Sequence, residues 1–508
     1  MANIQPTSAE PDSRDMDIEK NTNTNAKTLD ATDLDTHSIQ KPQSWWTQLM
    51  SMGIEERGIQ PVPLEERTSD RFVDIFSIWF TMSVTPLAIV TGILGTLIFG
   101  LSLRDASLIA IFFGIICSFP VAYLSTLGPK TGLRQLIQAR YSFGLYGASF
   151  LVVLNLATIS GFVIISSVIG GTTLAAVNPG TISVEASIVI LSIVALFISF
   201  CGMKVLHQYE RYAWIPAIVA FTIATGCGGK TLMQQADKPP ASTATIISYG
   251  GVIAGYLIPW AALASDFGIY IRPDAPSKRI FAYTYFGLLI PTVLLIILGA
   301  AIGGAVPSNA SWSAGYETYS VGGVLAAMLS SAGGFGQFIA VIIAFSVLGN
   351  MAASIYSISL NYQTLHPIFS RVPRPLFAIL TVAVTIPVSI KAASSFFAAL
   401  ENFIYLIAYW SAAFTAIVIT EHGVFRRGDA DSYGHEIWDQ RAKLPTGLAA
   451  LGAAVLSFGL VVPCMSQVWW TGPLAKETGD IGFEVALVLS AVLYVPFRWL
   501  EIRWRGRL

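Results

Sequence analysis

Charge is the scarcest property of this 508-residue chain. Asp, Glu, Lys and Arg make up 12% of it and nearly cancel, leaving a formal net charge of −1. Soluble domains carry about 25% charged residues. Such a balance offers no basic surface to a nucleic acid, and so little charge at this length argues against a soluble protein. Cysteine is scarce too. Cys117, Cys201, Cys227 and Cys464 lie in or beside apolar segments, with no C-x-x-C pair and no metal-ligand spacing. They read as buried structural thiols, and no metal is expected. The five histidines, His37, His207, His366, His422 and His435, fall in tails, loops or segment ends, which removes the usual titrating group near neutral pH. H-x-x-x-H, paired carboxylates and nucleophile motifs are missing, which excludes the common membrane enzymes. No cofactor is expected. A channel would show rows of pore charges, and there are none.

What the chain has in abundance is apolar length. Hydrophobic residues form 54% of it, and the mean hydropathy is +0.62. A membrane span needs about 20 mostly apolar residues. Twelve segments qualify: 75–101, 106–127, 145–177, 183–203, 212–229, 248–271, 280–306, 334–362, 374–392, 395–421, 445–465 and 480–500. The expected fold is an all-α integral membrane protein lying in the lipid bilayer. Residues 1–70 read as a polar, disordered cytosolic tail in which Trp45 and Trp46 rest on the membrane surface. Residues 71–430 form a core of ten spans, 431–500 a loop and two more spans, and 501–508 a second cytosolic tail.

Lys and Arg set the orientation. With the N-terminus inside, the inner loops hold Lys130, Arg134, Arg140, Lys204, Arg211, Arg272, Lys278, Arg279, Arg371, Arg374, Arg426, Arg427, Arg441 and Lys443. The outer loops and their edges hold only Arg104, Lys230, Lys238, Lys391 and Lys476. The single N-x-S/T sequon, Asn309-Ala310-Ser311, then falls outside, as a glycosylation site must.

Two spans carry breakers at matched positions. Pro86 stands eleven residues into the first, and Pro259, which follows Gly255, stands at the same depth in the sixth. Proline frees a backbone group that lipid cannot satisfy, so such a break belongs where protein or a water-filled cavity does. One proline alone is often a harmless kink. Matched breaks in spans one and six fit two five-span repeats. An odd repeat length inverts the second copy, placing backbone and helix ends at a central substrate site.

Four stretches carry a resemblance. GPKTGLRQLIQARYSFG (128–144), WAALASDF (260–267), LENFIYLIAYW with ITEHGVFRR (400–427) and RTSDRF (67–72) resemble motifs of the nucleobase–cation symporter-1 family, in particular its fungal purine–cytosine permeases. The resemblance implies a twelve-span LeuT-type fold, a 5+5 inverted repeat plus two C-terminal helices. It also implies proton-coupled uptake of purines and cytosine across the fungal plasma membrane.

A flat heteroaromatic ligand asks for aromatic faces and amides. Trp260 beside the sixth-span break is the stacking candidate, and the resemblance adds Phe162, where the family usually has Trp. Several polar positions depart from the family. Ser166 and Ser354 stand where it has Asn, Asn350 is kept within GNMAASIYS (349–357), Ser83 replaces another Asn, Ala88 replaces a Ser, and Ala262 replaces a Pro. Fewer amides read a base edge less sharply, so a B6-type vitamin or a secondary metabolite stays open as the ligand. Of the few ionisable residues in the spans, Glu401 is a coupling or gating candidate. Asp266 is another, with an alternative role anchoring its helix through backbone N–H groups or Arg272.

Overall fold

The computed structural model describes residues 58–508, apart from 201, 367 and 468 and the side chains of 202–205, 395 and 397–399. Cys201, Trp45 and Trp46 lie outside the described residues. Cys117, Cys227 and Cys464 are free thiols.

The first span is two helices. α1 (Val73–Ser83) ends as Val84 leaves helical geometry, and α2 (Pro86–Ile93) restarts at a bend of 51°. Thr85 is extended, and its hydroxyl accepts the Leu87 N–H as the cap of the new helix. Pro86 takes the first helical position, where a missing N–H costs nothing. The proline therefore opens the second half-helix and does not kink a continuous one. A π-helical turn (Leu94–Ile98) completes the span.

The helices that follow are α3 (Leu103–Ser125), α4 (Arg140–Val177), α5 (Val184–Phe200), α6 (Gly202–Gly228), α7 (Thr243–Leu257), α8 (Ser277–Ala305), α9 (Ala310–Leu329), α10 (Gly333–Phe345), α11 (Val347–Leu365), α12 (Arg374–Ala392), α13 (Phe396–Thr420), α14 (Leu448–Cys464) and α15 (Gly482–Arg505). Among the described residues, nine helical stretches are long and apolar enough to cross a membrane, and ten if α1 and the stretch beginning at α2 are one span. Two shorter apolar helices, α5 and α14, occupy the places expected for the fourth and eleventh spans. α9 lies where a loop was expected. It carries a kink at Tyr319–Ser320 and leans Gly322 on the backbone of Thr173 near the end of α4.

The sixth span breaks differently from the first. α7 runs unbroken to Leu257, and Ile258–Leu263 continue as a tighter 3₁₀ turn through Pro259. The remainder of the span, to Tyr270, is turns. Gly255, expected to be part of the break, lies inside α7. Its missing Cβ instead lets α13 approach, since a Cβ there would stand 2.3 Å from the Ile404 carbonyl oxygen. The break starts after Leu257.

Packing follows the five-span repeat. α1 meets α6 as α7 meets α13. α2 packs on α8 as α7 packs on α3, and α5 meets α11 as α12 does α4. The broken spans sit centrally: 83% of the most apolar stretch of Thr243–Leu263 is buried, against 28% for α15. Outer helices turn apolar faces outward. Leu108, Phe112, Ile115, Ile116 and Phe119 form such a stripe on α3, the surface a helix shows to lipid.

The motif loop packs where the first span begins and the sixth ends. Residues 58–70, expected to be disordered tail, are packed onto it. Val62 donates its N–H to the Gly132 carbonyl, and Arg67 Nη1 donates to the carbonyls of Pro129 and Lys130. Ile59 joins Leu133, Ile137 and Tyr141 in a small apolar cluster, which is the reason this part of the chain is held. Gly132 has a φ of +63° and closes the Leu127–Thr131 helix as a left-handed cap. At Gly128 a Cβ would lie 2.5 Å from the Ser265 carbonyl oxygen. The loop can touch the sixth span only because that position is glycine.

Candidate functional site

The two aromatic candidates meet. Phe162 on α4 and Trp260 in the 3₁₀ turn are both buried, and their rings stack with centroids 4.9 Å apart and planes 15° from parallel. Phe403 of α13 closes the edge of Phe162 at 5.8 Å, its ring nearly perpendicular. Gly161 gives Phe403 its room, because a Cβ there would fall 2.1 Å from the Phe403 ring. Phe403 was not anticipated. Its signal was an aromatic two residues beyond Glu401 in a span already marked as functional.

The polar candidates form a second group one turn along α4. Ser166 donates to Asn350 Oδ1 at 3.4 Å, and Asn350 Nδ2 donates to the Met82 carbonyl at 3.1 Å. Asn350 thus ties α11 to the last turn of α1, next to buried Ser83. Ser354, one turn beyond Asn350, is fully buried with an unpartnered hydroxyl. Ala88 is buried in the first turn of α2. Asn155, two turns before Phe162 on the same helix, is buried with both side-chain polar atoms unpartnered. No motif pointed to it.

The carboxylates divide. Glu401 is half-buried on α13, two residues from Phe403. Asp266 is buried and accepts the Gln135 N–H at 2.8 Å, while Ser265 donates to Gln135 Oε1 and to the Leu124 carbonyl, both at 2.9 Å. The anchoring N–H comes from the motif loop and not from Asp266's own helix. Arg272, considered as its partner, pairs with Asp274. The A-S-D motif and the G-P-K-T-G-L-R-Q motif are therefore the two halves of one latch. Asn309 caps α9, its Oδ1 accepting N–H groups from Ser311 and Trp312. Glu210, in α6, is fully buried with both carboxylate oxygens unpartnered among the described residues. It lay between two expected spans and was missed. Among the described residues no group of His, Cys, Asp and Glu is placed to hold a metal.

Residues 61–435 match the family described as permeases for cytosine/purines, uracil, thiamine and allantoin. The chain belongs to this family. It is 35% identical to a purine-cytosine permease of Emericella nidulans over 469 residues, covering 90% of each chain. A vitamin B6 transporter of Saccharomyces cerevisiae is 27% identical over 518 residues, covering 90% of this chain and 89% of its own. In fold it is similar to a nucleobase-cation-symport-1 family transporter solved in a closed conformation with bromovinylhydantoin bound. That match has a TM-score of 0.67 at 15% identity and covers 88% and 95% of the two chains. The protein is a membrane transporter of LeuT-type fold and not an enzyme. In this transporter the facing aromatics lie at the sixth-span break.

Proposed function

We propose that this transporter carries purine bases and cytosine, or a closely related small heteroaromatic compound, inward across the plasma membrane by proton-coupled alternating access. The observation that carries the reading is the Phe162–Trp260 stack beside the sixth-span break. A base entering between two rings needs about 7 Å between them, twice the roughly 3.4 Å stacking rise. The present 4.9 Å means that the rings part to admit it. Ser166, Asn350 and Ser354 then present hydroxyls and one amide to the ring edge. The purine-cytosine permease of Emericella nidulans and the family description support the substrate class.

In this reading twelve spans cross the bilayer with both termini cytosolic, and Asn309 is a glycosylated outer residue. Glu401 beside Phe403 gates the outer side, and the Asp266 latch gates the inner side. A second reading, a B6-type vitamin as ligand, is favoured by the serines at 166 and 354, which read a base edge less completely than amides. The relative named as a vitamin B6 transporter agrees with it.

Uptake of labelled cytosine, adenine and pyridoxine, each competed by the others in cells lacking their own permeases, tests the choice. Saturable cytosine uptake blocked by adenine and not by pyridoxine is expected. Uptake that only pyridoxine competes would replace the nucleobase reading with the second one.

A further inference from the structure

One carboxylate has no place in the site described so far. Glu210 on α6 is fully buried, and neither carboxylate oxygen has a hydrogen-bond partner among the described residues. Arg211, next in the chain, is held by Asp74 of α1 at 2.7 Å. On one side Thr81 of α1 donates its hydroxyl to the backbone carbonyl of Glu210 at 2.6 Å. On the other, the carboxylate lies against Gly349 of α11, where a Cβ would stand 3.3 and 3.4 Å from its two oxygens.

The position matters because of what comes next in each chain segment. Thr81 precedes Met82, and Gly349 precedes Asn350. Met82 and Asn350 are the pair joined across α1 and α11. Glu210 thus sits one residue behind the clasp that links the broken first span to the eighth. A cavity of about 250 Å³ lined by Thr81, Val84, Tyr209, Ala213, Ile342 and Ser346 adjoins the same corner.

A buried ionised carboxylate without a partner is too costly to keep, so such a group carries a proton or holds a cation. Among the described residues the surrounding elements supply no compensating charge. α6 itself brings His207, Tyr209 and Arg211, the last already paired. α1 brings Asp74, its partner. α11 brings Tyr356, which lies under the guanidinium of Arg374. α10 has no titratable residue, α5 has only Glu185 in its first turn, and α9 meets α6 at Gly228, far from Glu210. We propose that Glu210 is the site that takes up and releases the coupling proton. The proton passes from water to a carboxylate oxygen and back, and no other bond changes. Neutral Glu210 lets α1, α6 and α11 close on one another. Ionised Glu210 must reach water and forces that corner open.

This rests on the proton-coupled reading above, and the test separates the two. Purified protein in liposomes is given labelled cytosine with a pH gradient of one unit, acid outside. Wild type accumulates the base about tenfold, the ratio one coupled proton sustains. Glu210→Gln keeps exchange of labelled for unlabelled cytosine, which shows it is folded, and loses the accumulation. Glu210→Asp restores part of it. Glu210→Gln that still accumulates tenfold overturns the proposal and leaves the proton-coupled reading standing. Wild type that exchanges without accumulating overturns both. A readout without substrate covers a failure of the nucleobase assignment: the melting temperature of wild type falls from mildly acid to mildly alkaline pH, and Glu210→Gln flattens that fall. A rise in melting temperature on adding sodium in place of choline, abolished by Glu210→Gln, would make the carboxylate a sodium site and overturn the proton assignment.

Discussion

The rings of Trp260 and Phe162 stack at 4.9 Å, and in the proposed nucleobase reading Trp260 is the residue on which substrate affinity turns. Stacking of a base on an aromatic face is worth about 1–3 kcal/mol. Trp260→Ala is therefore expected to weaken cytosine binding by roughly 5- to 150-fold, read by competition against labelled base. Trp260→Phe should lose less, since a smaller face remains. If Trp260→Ala binds like wild type, the ring stack is packing and the ligand lies elsewhere. Trp260 and Phe162 were singled out in the sequence, one from its place beside a proline and the other from a family motif. Their mutual contact was not, because it brings together residues about one hundred positions apart. Asn155 and Glu210 escaped for a related reason. A polar residue in an apolar run carries no mark of whether its partner is present, and only the packed bundle shows that these two lack one.

At the scale of elements, two devices tie distant segments together. The first is the latch of Asp266 and Ser265 on the motif loop. Asp266→Asn can turn its amide nitrogen toward the Gln135 N–H or keep its oxygen there as a weaker, uncharged acceptor. Initial uptake rate is expected to fall severalfold with cytosine affinity little changed, and an unchanged rate would remove the latch from the transport cycle. The second is a charged cluster. Glu421 accepts from Arg498 at 2.9 and 3.0 Å, from Tyr494 at 2.8 Å and from Arg426 at 3.2 Å, and Arg498 also reaches Glu501. Arg498 is fully buried, and removing one partner of such a pair costs about 3–5 kcal/mol. Arg498→Met should lower the melting temperature of the purified protein clearly, whereas an unchanged value would mean that Glu421 finds another partner. This cluster explains the conspicuous E-H-G-V-F-R-R stretch. Its carboxylate is met by an arginine 77 residues later in α15, a pairing no local pattern contains.

At the scale of the whole molecule, the helix order and the five-span repeat came from apolar length and two matched breaks. Pro86 and Pro259 mark both interruptions, yet they act differently. Pro86 starts a half-helix, whereas Pro259 lies in a 3₁₀ turn that gives way to turns reaching Tyr270. The sequon offers a test of the proposed orientation. Asn309 is partly exposed, and its oxygen caps α9. Asn309→Gln should speed migration on a gel by one glycan, with no further change on glycosidase treatment. A wild-type band unmoved by glycosidase would argue against that loop facing outward.

What the sequence by itself determined is the class of molecule: helices long and apolar enough for a bilayer, their inside–outside bias, and the two weakened spans. These are properties of composition and spacing, which act residue by residue and survive without any fold. Only the tertiary structure decided which polar groups are spoken for. Whether Asp266 is an anchor, Gly255 a contact or Glu210 an unpartnered carboxyl group depends on atoms brought in from distant segments. In a bundle where lipid satisfies no polar group, that accounting separates the scaffold from the working site.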